Sequence, residues 1–327
     1  MHGAFPILTC EEAKAFEAAH FAGDEAREWA AMQAAGRAVA RGIVRDFAEI
    51  GGWPERARVL VLAGKGHNAG DACIAATALC LRFPDTRVEV VLACGERALR
   101  PLALRAWRDL APHAGRIEPA AITGGDVVID GVFGFQFRPP LPPETAMLLA
   151  KVNASTFRLR AAVDLPSGLD APDAFRADFT YATGIVKTPL LTLENAGRVR
   201  FLDLGFPLEC NPIGYIGLGA GVLNSVRALR PARSDKRTFG HVLIVAGSRR
   251  CPGAALMATL AALRGGAGLV TTAVPESLVP AFAAQVPEAM WIGLPETPDG
   301  GLALEGLGLV REAFARATAV VLGPGLG

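Results

Sequence analysis

The stretch RVLVLAGKGHNAGDACIAATALCLRF, residues 58–83, contains an apolar run, a glycine-rich loop and a helical pattern in direct succession. Apolar residues in RVLVLA do not alternate with polar ones, which is typical of a strand buried on both faces of a parallel sheet. The glycines of GKGHNAG allow a tight connection into the following helix. The stretch therefore predicts a βα unit of an open α/β sheet.

The same alternation continues along the chain. Further strands are predicted at RVEVVLA (87–93), DVVID (126–130) and RAAVD (160–164), with helical patterns between them. Two shorter strands, FTYAT (179–183) and VRFLDL (199–204), close this part of the chain. The pattern predicts a Rossmann-like, doubly wound α/β domain with three αβα layers.

A polar, proline-containing segment, RPARSDKRTFG (230–240), interrupts the alternation, which then restarts with HVLIVAGS (241–248). We expect a domain boundary here, with a first domain over residues 1–228 and a second over 229–327. The second domain ends at GPGLG (323–327), where a glycine loop normally leads into a helix that covers the sheet. It is therefore predicted to be an incomplete α/β domain.

The composition favours a protein that binds small molecules. The 33 basic and 32 acidic side chains nearly balance, so neither nucleic acid nor a membrane surface is an expected partner. The longest apolar stretch (251–263) is too short to span a bilayer and is interpreted as a buried helix. Six scattered cysteines without a CxxC pair argue against zinc and favour a reducing, cytoplasmic compartment.

Polar residues follow three of the predicted strands. Asn68 and Asp71 follow the first, Asp130 ends DVVID, and Asp164 ends RAAVD and continues into LPSGLD (165–170). Each of these alone has a structural interpretation, as a tight connection, a helix N-cap or a turn. Because the carboxyl ends of parallel strands meet at one edge, their combination predicts a ligand site there.

The glycine loop is neither of two common nucleotide motifs. In GKGHNAG the third glycine falls one position too late for GxGxxG, and only Glu96 is available as an acidic residue after the next strand. A Walker A loop is excluded because GK[ST] does not follow. The loop is thus predicted to place side chains, as well as backbone amides, against its ligand.

These motifs together resemble a known family. VLVLAGKGHNAGDACIAATAL, DVVIDGVFGFQFRPPL and AAVDLPSGLDA are similar to successive motifs of the NAD(P)H-hydrate epimerase domain, and ADFTYATGIVKTPLL and RVRFLDLGFP to its closing strands. RTFGHVLIVAGS, PGAALMATLAALRGGAGLVT and AVVLGPGLG resemble the ADP- or ATP-dependent NAD(P)H-hydrate dehydratase, which has a ribokinase-like fold. The order is that of the bifunctional repair enzymes.

The resemblance implies that hydrated NADH or NADPH is the small-molecule substrate and that K⁺ is bound by the first domain. The implied potassium ligands are Asn68, Asp130 and Ser167, which offer the oxygens that a hard cation prefers. The implied substrate contacts are His67, Asn68, Ala69, Gly70, Asp71, Gly134, Phe135, Gln136, Phe137, Arg138, Pro139, Pro140 and Asp164. Because such domains often pair, the resemblance is compatible with a homo-oligomer.

The implied reaction interconverts the two epimers at the hydrated carbon, which requires a group that gives and takes a proton. Asp71 and Asp164 are the candidate catalytic residues; our hypothesis is that Asp71 is the catalytic group and that Asp164 orients the ribose or ring. The loop departs from the family at His67, Ala69 and Ala72. A methyl group at Ala69 restricts positive φ, so a loss of turnover would be understandable.

In the second domain, Ala254 and Gly325 fall in motifs that contact the hydrated nucleotide in the dehydratase family. The resemblance implies ADP or ATP as a cosubstrate, with the binding loop and catalytic aspartate expected beyond residue 327. Dehydration by these residues alone is therefore not expected. Two alternatives stay open: a nucleotide-binding scaffold without turnover, and a fragment of a ribokinase-like small-molecule kinase.

Overall fold

The computed structural model describes residues 3–135, 137–208, 214–227 and 229–326. The chain forms two compact units, Met1–Val226 and Arg227–Gly327, which are described separately.

The described residues of the first unit form ten strands and five α-helices. The strands are β1 (Ala4–Leu8), β2 (Arg58–Ala63), β3 (Arg87–Leu92), β4 (Ala114–Arg116), β5 (Gly125–Gly131), β6 (Phe157–Val163), β7 (Phe179–Thr183), β8 (Val186–Lys187), β9 (Arg198–Leu202) and β10 (Tyr215–Leu218). The helices are α1 (Cys10–Phe21), α2 (Glu25–Ala48), α3 (His67–Arg82), α4 (Pro101–Leu110) and α5 (Pro143–Ala154).

Seven of these strands form one parallel sheet in the order β4-β3-β2-β5-β6-β7-β9. The chain leaves β2 towards β3 and β4, and then returns to β5 on the other side of β2. The order therefore reverses between β2 and β5, and the carboxyl ends of these two strands border a crevice where ligands bind in such sheets. The predicted doubly wound α/β fold is confirmed.

The unalternating strands are buried on both faces. Val59 and Val61 of β2 belong to the core that the sheet forms with α2, α3 and α4. Leu60 and Leu62 of the same strand belong to the opposite core, which includes residues of α5. Helices on both faces give the three predicted layers. A second, small sheet has the order β10-β1-β8.

Helix α2 lies so close to α3 that one glycine has no room for a side chain. A Cβ at Gly36 would lie 2.6 Å from Ile74 Cβ and 2.7 Å from the backbone oxygen of Asp71. Gly36→Ala is expected to lower the free energy of unfolding by about 1–2 kcal/mol, because overpacking costs about 1–3 kcal/mol and helix propensity returns up to about 1 kcal/mol.

Urea unfolding of the Gly36→Ala variant measures this loss, with the neighbouring Arg37→Ala as the control. Arg37 is exposed on the same helix, so its replacement should change the unfolding free energy by about 0.5 kcal/mol or less. An undiminished stability of Gly36→Ala would mean that the two helices separate without cost, and that the close approach does not fix the position of α3.

The second unit is also a parallel α/β structure. Its elements are β11 (His241–Val245), α6 (Pro252–Arg264), β12 (Leu269–Pro275), α7 (Val279–Gln285), β13 (Met290–Leu294), α8 (Leu307–Phe314) and β14 (Ala319–Leu322). The sheet order is β13-β12-β11-β14. Residues of α6 and α7 contribute to the core on one face, and residues of α8 to the core on the other.

Helix α6 corrects one expectation from the sequence. The apolar stretch 251–263 was expected to be a buried helix, but only Ala255 and Thr259 of α6 are buried. Met257 on the same helix is 67% exposed. Apolar residues occur on every side of α6, but only one face of the helix packs on the sheet of the second unit. Among the residues that the structure describes, no helix combines the length and apolar character needed to cross a membrane.

Candidate active site

A cavity of about 430 Å³ lies in the first unit, where β2, β5 and β6 end. Many of the residues predicted to contact substrate line it. They are His67, Asn68, Asp71, Gly134, Phe135, Phe137, Arg138, Pro140 and Asp164. Segments more than 60 residues apart in the chain thus meet at the predicted sheet edge.

The other predicted site residues have different positions. Ala69 and Gly70 belong to the first turn of α3 and face the core. Ala69 is buried there, and a Cβ at Gly70 would lie 2.4 Å from Met32 Sδ. Pro139 is not among the lining residues, and Gln136 lies outside the described residues. In the second unit, a Cβ at Gly325 would lie 2.8 Å from Ala254 Cβ, so these two residues are neighbours.

The glycine loop brings the start of α3 against the extension of β5. A Cβ at Gly64 would lie 1.9 Å from the backbone oxygen of Val132, a separation that no side chain permits. Helix α3 begins at His67, with Gly66 as its N-cap. Because Ala69 lies in the first turn of this helix, its position needs no positive φ, and its methyl group packs in the core.

Asn68, Asp130 and Ser167 gather around the backbone of Phe133. Asp130 accepts hydrogen bonds from the Ser167 hydroxyl (2.6 Å) and the Ser167 backbone amide (2.7 Å). The Ser167 hydroxyl also accepts a hydrogen bond from the Phe133 amide (2.8 Å). The Asn68 side-chain amide donates to the carbonyls of Phe133 (3.1 Å) and Val163 (2.7 Å). One buried cluster therefore contains carboxylate, hydroxyl, amide and carbonyl oxygens.

Asp130 is completely buried, and no Lys, Arg or His forms an ion pair with it in the described part of the chain. Burial raises the pKa of Asp130 to about 6, against the opposing effect of its hydrogen bonds from Ser167 and Val132. A buried carboxylate without a cation is costly. The cluster consequently has both the ligands and the charge that suit a bound cation.

Asp164, just after β6, forms an ion pair with Lys187 of β8. Both side chains are almost wholly buried, and the ammonium group of Lys187 also lies 5.0 Å from the centre of the Phe135 ring. Asp164 adopts a φ of 67°, which is unusual for a residue other than glycine. Its second carboxylate oxygen is buried without a hydrogen-bond partner in the described structure. This oxygen is available to a ligand donor.

Asp71 lies one turn into α3, is 7% exposed and lines the cavity. Burial raises its pKa well above the ordinary range, and the negative charges of Asp164 and Glu17 raise it further, whereas Lys187 lowers it. Asp71 therefore holds a proton at a pH at which an exposed aspartate has lost its own. Two neighbouring carboxyl groups, one with a raised pKa and one in an ion pair, are typical of acid–base sites.

His67 lies at the rim, where its Nε2 is 3.8 Å from a carboxylate oxygen of Glu28. Burial lowers the pKa of His67, and nearby Arg100 lowers it as well, while Glu28 raises it. The neutral imidazole is thus favoured at neutral pH.

The sequence analysis missed several residues that line the cavity. Lys187 and Glu17 lie in its charged interior, and the basic side chains of Lys65 and Arg100 lie along the same cavity. Lys187 had a detectable signal, since it is the single charge in the apolar segment GIVKTPLL. Glu17 had none, because a glutamate within a helical pattern is most often exposed.

Two family models match the chain. Residues 29–188 match the family described as "YjeF-related protein N-terminus", and residues 242–327 match the family described as "NAD(P)H-hydrate dehydratase". The first match covers the glycine loop, Asp130, Asp164, Ser167 and Lys187, and the second covers most of the second unit.

The curated relatives span both units. "Bifunctional NAD(P)H-hydrate repair enzyme Nnr" of Gloeobacter violaceus is 37% identical over 98% of this chain. The proteins of the same name from Thermosynechococcus vestitus and Moorella thermoacetica are 32% and 31% identical over 100% and 90% of it. The chain spans 65%, 66% and 59% of these relatives, in that order.

Two solved structures are similar to parts of the chain. A yeast protein, YNL200c, is 20% identical over 65% of this chain and 99% of its own, with a TM-score of 0.49. An ADP/ATP-dependent NAD(P)H-hydrate dehydratase from Bacillus subtilis, co-crystallised with ATP/Mg²⁺, is 29% identical over 30% of this chain and 42% of its own, with a TM-score of 0.22.

The fold and the cavity define an α/β protein whose first unit has a cavity at the switch point of its sheet. The chain combines a YjeF-related N-terminal domain with residues of an NAD(P)H-hydrate dehydratase domain. This combination of domains places it in the bifunctional NAD(P)H-hydrate repair enzyme family. The family membership that the sequence motifs indicated is confirmed.

Proposed function

We propose that the first unit interconverts the two epimers of hydrated NADH or NADPH. The observation that carries this proposal is that Asp71, whose pKa is raised by burial, shares one cavity of a YjeF-related domain with the ion-paired Asp164. The names of the relatives agree with a role in NAD(P)H-hydrate repair.

Inversion of the hydrated carbon requires either its bond to the hydroxyl oxygen or the adjoining ring bond to break and to form again on the other face, and our mechanism uses the first. In our mechanism the Asp71 carboxyl donates its proton to the hydroxyl, which leaves as water, and the ring nitrogen supplies electron density to the carbon. Water then adds to the opposite face and returns a proton to Asp71. The unpaired oxygen of Asp164 accepts a hydrogen bond from the ligand and fixes its orientation.

The charge distribution of the cavity supports a dinucleotide ligand. Lys65, Arg100 and Arg138 are basic residues along its lining, and Lys65 and Arg100 lie next to the first turn of α3. A helix N-terminus and basic side chains together favour phosphate groups. We therefore assign the basic part of the cavity to the phosphates and the carboxyl-rich part to the hydrated ring.

Potassium fits the cluster of Asn68, Asp130 and Ser167. The buried Asp130 has no cationic partner among the described residues, and the surrounding donor set is entirely oxygen. Bound K⁺ would supply a fixed positive charge that keeps Asp130 ionised. Asn68 and Ser167 would hold the loops after β2 and β6 in register around it.

Gly134→Ala is expected to abolish the stabilisation of the protein by potassium. The added methyl carbon would lie 2.5 Å from the side-chain oxygen of Asn68, so the Asn68 amide must move away from the cluster. Thermal unfolding in KCl and in choline chloride measures the effect. At a concentration of about five times Kd, K⁺ should stabilise the wild type by about 1 kcal/mol and the variant hardly at all.

Gly115→Ala is the matched control for this substitution. Gly115 lies in β4 with open space at its Cβ position, so this variant should keep the potassium-dependent stabilisation. Equal stabilisation of Gly134→Ala and wild type would contradict the assignment of Asn68 to the cation site.

The proposed function is tested by supplying one purified epimer of hydrated NADH and following the other by chromatography. In the presence of K⁺, the full chain should restore the epimer mixture much faster than buffer alone. Binding without conversion would identify the first unit as a scaffold. No binding and no conversion would remove the assignment of the cavity to this substrate.

For the whole protein we propose a second reaction, dehydration of the hydrates with ADP or ATP, which rests on the match of residues 242–327 to the dehydratase family. Ala254 and Gly325 are proposed to approach the hydrated nucleotide through their backbone. A cytoplasmic location and assembly into a homo-oligomer stay predictions.

A further inference from the structure

Three carboxyl groups and a single buried ammonium group lie in the carboxyl-rich part of the cavity. They belong to Glu17, Asp71, Asp164 and Lys187. Lys187 is in direct contact with Asp164 and forms an ion pair with it. Glu17 and Asp71 form no ion pair or hydrogen bond with their side chains in the described part of the chain.

Helix α1 holds Glu17 in this position. The helix begins at a capping box, in which the Glu12 amide donates to the Thr9 hydroxyl (3.1 Å) and the Thr9 amide donates to the Glu12 carboxylate (2.8 Å). Glu17 lies one turn after the buried Ala13 on α1, and its half-buried side chain lines the cavity. The capping box thus fixes the start of α1, and Glu17, about two turns further on, reaches the cavity.

Charged groups from four other elements line the same cavity as Glu17. Asp71 comes from α3, Asp164 from the end of β6, Lys187 from β8 and Glu28 from α2. Three of these four neighbours are carboxyl groups. Two buried carboxylates close to each other cannot both be ionised without a large electrostatic cost, so the cavity retains a proton.

We propose that Glu17 is a positioning residue for the epimerase reaction and acts through Asp71: the negative charge of Glu17 keeps a proton on the Asp71 carboxyl until the substrate takes it. This inference rests on the proposed function, because it gives the retained proton a role in that reaction. Glu17 is the more accessible of the two groups and gives up its proton first.

The direction of both ionisations agrees with this order. Burial raises the pKa of Glu17 to about 7, against the lowering effect of Lys187, and Asp164 and Glu28 raise it further. The pKa of Asp71 is raised by burial, by Asp164 and by Glu17 itself. Glu17 therefore ionises at about pH 7, and its negative charge then acts to keep the proton on Asp71.

The sign of the test follows directly. Glu17→Gln removes a negative charge near Asp71, so the pKa of Asp71 should fall, and Asp71 should lose its proton at a lower pH. A fall of roughly one pH unit is expected, which is the usual spread that folded environments give to carboxyl pKa values. If protonated Asp71 is the active form, the alkaline limb of the epimerase profile should move down by the same amount.

The experiment follows the carboxyl carbon of Asp71 by NMR in the full chain labelled with ¹³C-aspartate, using Asp71→Asn to assign the signal. Glu17→Gln should lower the midpoint of Asp71, whereas Glu17→Asp should keep it near the wild-type value. Glu11→Gln is the matched control, because Glu11 is exposed on the same helix and does not line the cavity.

An Asp71 midpoint that is unchanged in Glu17→Gln would overturn the proposal, whatever the activity. A lowered Asp71 midpoint together with a shifted alkaline limb of the epimerase pH profile would support the proposal. A lowered midpoint with an unshifted alkaline limb would overturn the role of the Asp71 proton in the reaction. If none of the proteins, including wild type, converts the epimers, the proposed function fails. The same result overturns the role of Glu17 in the reaction, while the NMR titration separately decides whether Glu17 controls the Asp71 proton.

Discussion

Asp71→Asn is expected to reduce the rate of epimerisation by roughly 10²- to 10⁴-fold, the range that a general acid–base group contributes. Asparagine has nearly the same shape as protonated aspartic acid, so the cavity should keep its form. The amide cannot donate a proton to the leaving hydroxyl or take one from the returning water. Rates measured from a single epimer at saturating substrate isolate this loss in kcat.

The stability of the same variant checks the protonation state of Asp71. Because the pKa of Asp71 is raised in the folded protein, its ionisation destabilises the wild type as pH rises above the unfolded value of about 4. Asp71→Asn cannot ionise. The variant should therefore be as stable as wild type in acid and more stable at pH 8, as measured by urea unfolding at the two pH values.

Asp109→Asn is the control for both measurements, since Asp109 is exposed on α4 away from the cavity. It should leave rate and stability close to the wild-type values. An Asp71→Asn protein that retains more than about a tenth of the wild-type rate would exclude Asp71 as the group that gives and takes the proton.

The main sheet was predictable because its strands are local and almost uniformly apolar. A run such as RVLVLA can be satisfied only where both faces are covered, and its glycine loop then fixes the direction of the following helix. The small sheet of β10, β1 and β8 was not predictable in the same way. Strand β1 pairs Ala4 with Leu218, and no pattern in AFPIL indicates a partner more than 200 residues away.

In the candidate site, too, the predictable residues are those that the main sheet places. Asn68, Asp71 and Asp130 follow or end strands of the main sheet, so the sheet topology alone brings them to one edge. Lys187 reaches Asp164 because the two-residue strand β8 pairs with β1, which is a non-local arrangement. Glu17 depends on the placement of α1, whose sequence resembles an ordinary solvent-exposed helix. The sequence therefore predicted the carboxyl groups and missed the groups that set their ionisation.

Lys187→Met is expected to lower the free energy of unfolding by about 3–5 kcal/mol at neutral pH, because it leaves the buried carboxylate of Asp164 without its cation. Methionine replaces most of the aliphatic part of lysine, so little of this loss should come from packing. Epimerase activity should also be lost, since Asp164 would no longer be held in its ionised orientation. Urea unfolding and the single-epimer assay measure the two effects.

The loss of stability should depend on pH with a definite sign. Lys187→Met leaves the Asp164 carboxyl buried without a cation, and the cost of this arrangement is greatest where that carboxyl carries its charge. In acid the carboxyl can take up a proton, which removes the buried charge. Acidification should therefore reduce the difference in unfolding free energy between Lys187→Met and wild type. Lys151→Met, at an exposed position of α5, should show neither the loss nor this pH dependence.

The double variant Lys187→Met/Asp164→Asn separates the contribution of the ion pair to stability from its contribution to activity. Asparagine carries no charge to be buried, so most of the lost stability should return, because neutral replacement of a whole buried ion pair is often tolerated. Activity should not return, since the carboxylate that orients the ligand is absent. Recovery of both properties would mean that the pair serves only the fold. Loss of both would mean that the polar contacts of Asp164, rather than its charge balance with Lys187, hold β6 and β8 around the cavity.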